Sequence, residues 1–595
     1  MQVSITTNKS LLTMLVISTF ISGCHWDTPE EAANYVSENI SRNDVVRHLN
    51  ELESRASKTT LNHSSTRAAG TDGYHHSVEY VKKVMLDHGY NVSVQTLDFR
   101  AWQELPGTKL SVNNLDLTNS RNTPDGSIID FTTMSYAGNS LGFIDSYATF
   151  ITPDFQFDSP DYDDTDGCEP GDFNNINLQG RVAVIQRGGC SFNTKVFNAQ
   201  SAGARAVIIF NQGNSEGRKD AVNGTLGSET RVSIPAFGAR YDLGAQWFEL
   251  AKNKELPVSF YINTKDEMVE TENVIAETVG GDEATIVMLG AHLDSVPEGP
   301  GINDNGSGTA GLLEYAVTLA KLEAPVVNKI RFAWWAAEEA GLVGSQYYTN
   351  QLFAPLRSQA EREILDELGL DDPSQLTEEQ LDLVETRYHS LNRVKMYLNF
   401  DMIGSPNYIF GVMDGDLSDT KDSPDNAYTG NFVPPYGTSH IESIFNQFFS
   451  QNSLSTVPQA LSKRSDYAGF ADWGIAFGGL FTGAEKAKSQ KEAEEFGGDA
   501  DIAYDHCYHK ACDDFNNVNQ TALYTNTQSL AYVTTFYAFS KPLFPQQQQD
   551  KSNKMKLSIH SMPKVSVLRA GTRLKAASSL SDHGHFHGDL DQDID

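Results

Sequence analysis

Apolar and polar positions alternate between two periods along this chain, and the switches between them outline an α/β protein. Val45, Val46, Leu49 and Leu52 recur at helical spacing inside an otherwise polar stretch over residues 25–60. From His76, the segment HSVEYVKKVMLDHGYNVSVQTLDF reads as a helix closed at Gly89, then a strand in which Val92 and Val94 alternate with polar residues. Much later, Thr285–Leu289 predicts a buried strand, Thr309–Leu322 a helix, AGLVGSQYYTN a further helix, and Lys395–Phe400 a strand that delivers Asp401 at its carboxyl end.

Between these blocks, residues 105–265 have a different character: Asn, Asp, Gly and Thr are frequent and the strands are short. Within them Val182–Ile185 predicts a strand, Thr194–Ala202 a helix and Ala206–Phe210 a second strand. Residues 351–393 read as a charged helical insertion with a capping box at Thr377 and Gln380, and are expected to be peripheral. The tail, residues 545–595, passes from a Gln run through a basic stretch to HGHFHGDLDQDID, a composition expected to be disordered. Its His583, His585 and His587 either gather zinc or are inert.

A chain of 595 residues has room for two domains, or one with a sizeable insertion. The 45 Lys and Arg against 78 Asp and Glu, a formal charge of −33, argue against a nucleic-acid partner or an anionic-membrane surface. Lys9, the apolar run Leu11–Ile21 and Ser22-Gly23-Cys24 predict a secretory signal over residues 1–23, too short for a membrane span. The string ISGC also resembles a bacterial lipobox, so Cys24 is either a lipidated first residue of the mature protein or simply follows an ordinary signal. The expected location is the cell envelope, as an outer-membrane lipoprotein favoured by His25 not being an aspartate, or else secretion; a lipid at Cys24 would be the only membrane attachment. With Cys24 set aside, Cys168 with Cys190 and Cys507 with Cys512 form two local pairs suited to disulfides, a zinc-thiolate site being the alternative. A bridge at the second pair would hold Tyr508 and His509 in place.

The chemistry concentrates where apolar runs end. GAHLDSVPEGPGINDNGSG, from Gly290 to Gly308, sets His292 and Asp304 on either side of a glycine-rich turn, and AWWAAEEAGLVGS carries the adjacent pair Glu338 and Glu339. With Asp401 and His509 these supply what a zinc-activated water needs, nitrogen and oxygen ligands plus a separate base. Asp304, at a turn before a helix, is placed to bridge two ions.

The strings AHLDSVPEGPGINDNGSG, RFAWWAAEEAGLVGS, YLNFDMIGSPN, RSDYAGF, GGLFTGA and CYHKACD resemble the exported bacterial two-zinc aminopeptidases, a co-catalytic zinc exopeptidase family that includes leucyl aminopeptidases. The resemblance covers residues 40–100 and 270–540. It implies a mixed central sheet sandwiched by helices, the zinc exopeptidase fold, formed by residues 25–104 and 266–540 as one discontinuous catalytic domain. Residues 105–265, with Arg187-Gly188-Gly189-Cys190-Ser191-Phe192, look like an inserted small β-rich α/β protease-associated domain, either a lid over the cleft or a stabilising appendage.

By the same resemblance His292 and Asp401 would hold one zinc, Glu339 and His509 the other, and Asp304 would bridge the two Zn2+ per chain. Glu338 would be the general base, Tyr508 the phenol at the oxyanion, Asp294 the carboxylate orienting the ring of His292, Arg464 a substrate-binding arginine, and Met402 and Phe481 the apolar pocket. Tyr467 departs from the histidine frequent in the family, and Tyr524 and Gln528 stand where some relatives bind calcium through carboxylates. The implied activity is removal of N-terminal residues, apolar ones expected, from peptide substrates. The alternatives are a carboxypeptidase or dipeptidase on the same scaffold, for which Arg464 is the only obvious basic group, and a non-catalytic receptor-like protein, which would have lost ligands or the base.

Overall fold

The computed structural model describes residues 26–545 apart from 62–63, 120–127, 152–165, 215–217, 229, 324, 424 and 429–431. The expected signal segment, Cys24 and the tail beyond Pro545 lie outside the described residues. Among those described, no helix is long and apolar enough to cross a membrane.

Strict two-residue alternation in the central strands decides the layering. Val287, Leu289 and Ala291 point into one apolar cluster with Ile330, Phe332, Trp334, Met396, Leu398 and Phe400, while Ile286, Met288, Trp335 and Tyr397 point into another on the opposite face. A strand apolar on both sides must be covered on both, and it is. Helices Arg42–Ala56, Asp72–Asp87, Gly306–Lys321, Thr438–Gln451 and Gln520–Phe539 bury their apolar sides in the first cluster. Val343–Leu368 and Glu378–Leu391 bury theirs in the second.

The sheet has eight strands in the order Val457–Gln459, Gly411–Met413, Ala476–Phe481, Val394–Phe400, Asp282–His292, Asn328–Trp335, Thr264–Glu277 and Asn91–Glu104. Asp282–His292 runs parallel to both neighbours and Val394–Phe400 parallel to Ala476–Phe481, whereas Thr264–Glu277 is antiparallel to the strands on either side. The mixed sheet between helical layers is the α/β architecture implied by the sequence.

A second eight-stranded sheet, built from strands between Lys109 and Tyr261, encloses its own apolar core of residues such as Val184, Ile208, Phe237 and Phe260. It contains the strand Val182–Gln186, the helix Phe192–Ser201 and the strand Ala206–Phe210, within a residue or two of expectation. The chain leaves the first sheet along Asn91–Glu104 and returns along Thr264–Glu277, and these two strands pair over their whole lengths.

Residues 351–393 differ from expectation. They continue a 26-residue helix that already starts at Val343. Phe353 and Tyr388 are fully buried, packing on Phe470 and Trp473, so the segment closes one face of the sheet and is not a peripheral addition. Its many charged residues concealed the apolar stripe of a helix with one covered side. The helix expected from Thr309 begins at Gly306, because Asn305 caps it by accepting a hydrogen bond from the backbone N–H of Gly308 at 3.0 Å.

Candidate metal centre

Parallel pairing brings the carboxyl ends of three strands to one edge. His292 ends its strand in register with Trp335, and Gly290 faces Asn399, so His292, the turn following Trp335 and Asp401 emerge side by side. Asp304 arrives on the turn before helix Gly306–Lys321, and Asn305 ties that turn to the sheet by donating from Nδ2 to the carbonyl of Phe400 at 2.9 Å. A Cβ at Gly308 would lie 2.2 Å from that same carbonyl oxygen, so the close approach of helix and strand requires glycine. His509 comes from a different part of the chain, inside the loop closed by the Cys507–Cys512 disulfide, with φ at +57° and its ring stacked 3.8 Å from that of Tyr508. Cys168 and Cys190 form the second disulfide.

Asp304 sits between the two histidines and offers one oxygen to each. Its Oδ1 is 3.1 Å from Nε2 of His292, and its Oδ2 is 3.4 Å from Nε2 of His509. On the first side Asp401 Oδ1 lies 3.3 Å and Glu338 Oε2 3.9 Å from His292 Nε2; on the second, Glu339 Oε2 lies 3.0 Å from His509 Nε2. Two ligands held at about 2.05 Å by one tetrahedral ion would stand about 3.3 Å apart, the spacing of these pairs.

The donor set fits zinc on two further counts. Asp401 Oδ1 and Glu339 Oε1 are buried and have no hydrogen-bond partner, an expense that a cation removes. Four carboxylates, of Asp304, Glu338, Glu339 and Asp401, converge on the two imidazoles, the oxygen and nitrogen donor types that zinc takes. Burial, reinforced by Asp401 and Asp466, raises the pKa of Glu338 well above the usual carboxylate range, and burial with Asp304 raises that of Glu339. Burial alone would lower His292, but Asp401 and Glu338 lift it well above its ordinary value; Glu339 and Tyr508 do the same for His509. Asp304 would also be raised by burial, yet its hydrogen bonds to both histidines pull it below the usual range.

Other side chains hold this cluster in place. Asp294, expected to orient the ring of His292, stands beside that ring and also faces the turn: the backbone N–H groups of Glu338 and Glu339 donate to its Oδ1 and Oδ2 at 3.1 and 3.2 Å. The nearer Asp294 atom to His292 Nδ1 is the backbone carbonyl, at 3.2 Å, with Oδ1 at 3.7 Å. Arg464 is engaged twice, donating to Glu485 at 2.7 Å and to the hydroxyl oxygen of Tyr508 at 3.1 Å. Met402 and Phe481 lie just beyond the paired residues Phe400 and Leu480 of neighbouring strands; Met402 is buried, with φ at +47°. Tyr467 is buried with its ring against Phe477, and its hydroxyl accepts from the N–H of Lys463 at 2.7 Å. Gln528 bonds to Ser37 and Tyr524 lies under Arg42, so both positions serve the packing of the N-terminal helices.

Four supporting residues escaped the sequence reading. Ser465 donates to Asp401 Oδ2 at 2.6 Å and accepts from Asn399 at 2.8 Å, leaving Oδ1 to face His292. Asp513 accepts the backbone N–H groups of Asn303 and Asp304 at 2.9 and 3.0 Å. Both stood inside RSDYAGF and CYHKACD, where adjacency to the singled-out residues was a usable signal. Arg67 is fully buried and donates to the carbonyls of Leu293, Pro300 and Gly301, bracing the loop after His292; nothing in its neighbourhood marked it. Glu485, partner of Arg464, was equally unmarked.

Residues 273–534 match the model of peptidase family M28, and residues 157–247 match that of the PA domain. The chain is 41% identical over 502 residues to the protein named Aminopeptidase of Pseudomonas aeruginosa strain UCBPP-PA14, covering 84% of this chain and 82% of that one. It is 38% identical over 379 residues to Leucine aminopeptidase 2 of Trichophyton rubrum, covering 64% and 66% respectively. Among solved structures, the aminopeptidase from Aneurinibacillus sp. strain AM-1 superposes with a TM-score of 0.58 at 21% identity, over 85% of this chain and 96% of that one. BSAP, a zinc aminopeptidase from Bacillus subtilis, gives 0.53 at 20% identity, over 84% and 96%. At these identities the likeness of the solved structures is one of fold.

Proposed function

Because the chain belongs to peptidase family M28, we propose that its buried carboxylate and imidazole cluster is the active site of a zinc-dependent aminopeptidase that removes N-terminal residues, apolar ones preferred, from peptides. The observation that carries this reading is the position of Asp304, with one carboxylate oxygen toward each of two histidines. His292 and Asp401 would hold one zinc, Glu339 and His509 a second, and Asp304 would be shared. Bound there, zinc would polarise the scissile carbonyl and lower the pKa of the attacking water.

Glu338 takes the proton from that water and returns it to the leaving amine. Its backbone N–H donates to Asp294 Oδ1 at 3.1 Å, which fixes the turn from which the carboxylate enters the site. Tyr508 accepts a hydrogen bond from Arg464, which leaves its own proton to be donated to the developing oxyanion. Glu338 and Asp401 receive the substrate's free amine, and an acylated N-terminus would leave them without that partner. Arg464 is bonded to Glu485 and to Tyr508, and among the described residues no second arginine or lysine joins it there, which supports aminopeptidase over carboxypeptidase. We assign residues 25–104 and 266–540 to the catalytic domain and 105–265 to the inserted PA domain. The two disulfides support export, with lipidation at Cys24 as the anchoring option.

The test is mass spectrometry of a Leu-initiated peptide, its N-acetylated twin and its C-amidated twin after incubation with zinc-loaded protein. Loss of Leu from the free and amidated peptides alone is expected, abolished by a chelator and restored by zinc. Glu338→Gln should lower kcat by about 10²- to 10⁴-fold while zinc content is retained. Trimming from the C-terminus would overturn the assignment.

A further inference from the structure

Among the described residues, the segment inserted between the two long paired strands reaches the turn bearing Glu338 and Glu339 through Tyr136. The Tyr136 hydroxyl donates to the carbonyl of Ala340 at 3.1 Å, with the carbonyl of Arg100 farther off at 3.4 Å. Its ring is buried, 6% exposed, and its φ is +64°, a conformation that a large side chain adopts only when its surroundings impose it. Those surroundings are specific. The guanidinium of Arg100 lies 5.6 Å over the ring and is itself fixed by Asp266 at 2.8 and 2.6 Å and by the carbonyls of Ser228 and Thr230 at 2.9 and 3.0 Å. Trp102 donates from Nε1 to the carbonyl of Ala137, the next residue, at 2.9 Å.

The turn that Tyr136 meets is itself strained. Ala337, Gly341 and Leu342 have φ of +53°, +106° and +58°, so two of its non-glycine residues stand in the left-handed region. On its inner side Asp294 holds the N–H groups of Glu338 and Glu339, and Asn273 accepts from Ala336 N–H and donates to the carbonyl of Gly344, both at 2.9 Å. Ala340 lies at the outer end, one residue beyond Glu339 and beside the exposed Gly341. We propose that Tyr136 is a positioning residue for catalysis: through its hydroxyl the inserted domain clamps the outer end of this turn and so sets where Glu338 and Glu339 stand.

This rests on reading Glu338 as base and Glu339 as zinc ligand. The clamp gives the inserted domain a part in the reaction through the turn it holds. Because the hydroxyl meets backbone carbonyls, that of Ala340 and at longer range that of Arg100, Tyr136→Phe removes the link to the turn while keeping the ring, its packing and the cation above it.

The experiment compares wild type, Tyr136→Phe and Asn139→Ala. Asn139 donates to the carbonyl of Thr264 at 3.2 Å, so its truncation loosens the same part of the inserted domain without touching the turn. Steady-state kinetics on a leucyl anilide and the rate of zinc release to a chelator are measured on each. Tyr136→Phe should lower kcat roughly five- to tenfold with KM within about twofold, the effect expected of one lost hydrogen bond, and should release zinc faster than wild type; Asn139→Ala should match wild type in both. Wild-type kcat and zinc release in Tyr136→Phe would overturn the proposal, as would an equal loss in Asn139→Ala, which would mean general loosening. If the wild-type protein itself released no N-terminal residue, the aminopeptidase reading would fall, while zinc release would still decide the role of Tyr136.

Discussion

Asp294→Asn tests how the site is held together. Asp294 is 1% exposed, and its two oxygens each take one backbone N–H, from Glu338 and Glu339. Asparagine keeps one acceptor and presents its NH2 to the other N–H, leaving a buried amide without a partner at a cost of about 1–3 kcal/mol. Both N–H groups belong to the turn, so the cost falls on the placement of Glu338 and Glu339 and much less on the sheet beneath. At about 1.4 kcal/mol per factor of ten, the expected loss in kcat/KM is about ten- to a hundredfold, in line with other outer contacts of metal ligands. The melting temperature should fall by only a few degrees. The assay is leucyl anilide hydrolysis, with zinc content measured after gel filtration, where weaker retention at Glu339 should leave less than the wild-type complement. Activity within twofold of wild type with full zinc would refute the reasoning and show that the turn's own backbone bonds suffice.

The two disulfides should separate stability from activity. In the chain-entropy model, with sequence separations of 22 for Cys168–Cys190 and 5 for Cys507–Cys512, the losses on removal are about 3 and about 2 kcal/mol. Replacing the first pair by alanine should lower the melting temperature more while sparing kcat, whereas replacing the second should cut kcat/KM at least tenfold by freeing Tyr508 and His509; the reverse pattern in calorimetry and kinetics would contradict this. Away from the site, burial together with Asp414, Asp416 and Asp419 pushes the Glu442 carboxyl up to about 7 from an ordinary 4.5. With the folded pKa raised, Glu442 contributes stability that is fully present below about 4.5 and is lost as pH rises through about 7. Glu442→Gln, which can still accept from Gly415 N–H, should therefore gain on wild type in thermal unfolding as pH rises across that window. A constant difference would show that Glu442 titrates normally.

Sequence patterns were informative where a residue's role depends on its immediate neighbours. Thr285–Leu289 and Lys395–Phe400 were readable as strands because their apolar residues alternate into two buried layers, and the reactive residues stood at their ends. Residues 351–393 read as peripheral but are not. Their charged surface is visible in sequence, but the burial of Phe353 and Tyr388 depends on Phe470 and Trp473, over 80 residues away in the chain. Asp294 stood out in the sequence, yet its backbone partners did not, because two N–H groups 44 and 45 residues downstream leave no trace in side-chain spelling.

By itself, then, the sequence determined the α/β class and the kinship with peptidase family M28, and it supplied the candidate cation-binding residues and the candidate base. Tertiary structure alone decided which oxygen of Asp304 faces which histidine, why Asp401 keeps Oδ1 free, and how Arg67, Asp513 and Tyr136 hold the surrounding loops. Element formation follows local periodicity and chain stiffness, which a sequence displays directly. A site is an agreement in space among strand ends and loops hundreds of residues apart, reached only when parallel pairing and two packed layers bring them to the same edge.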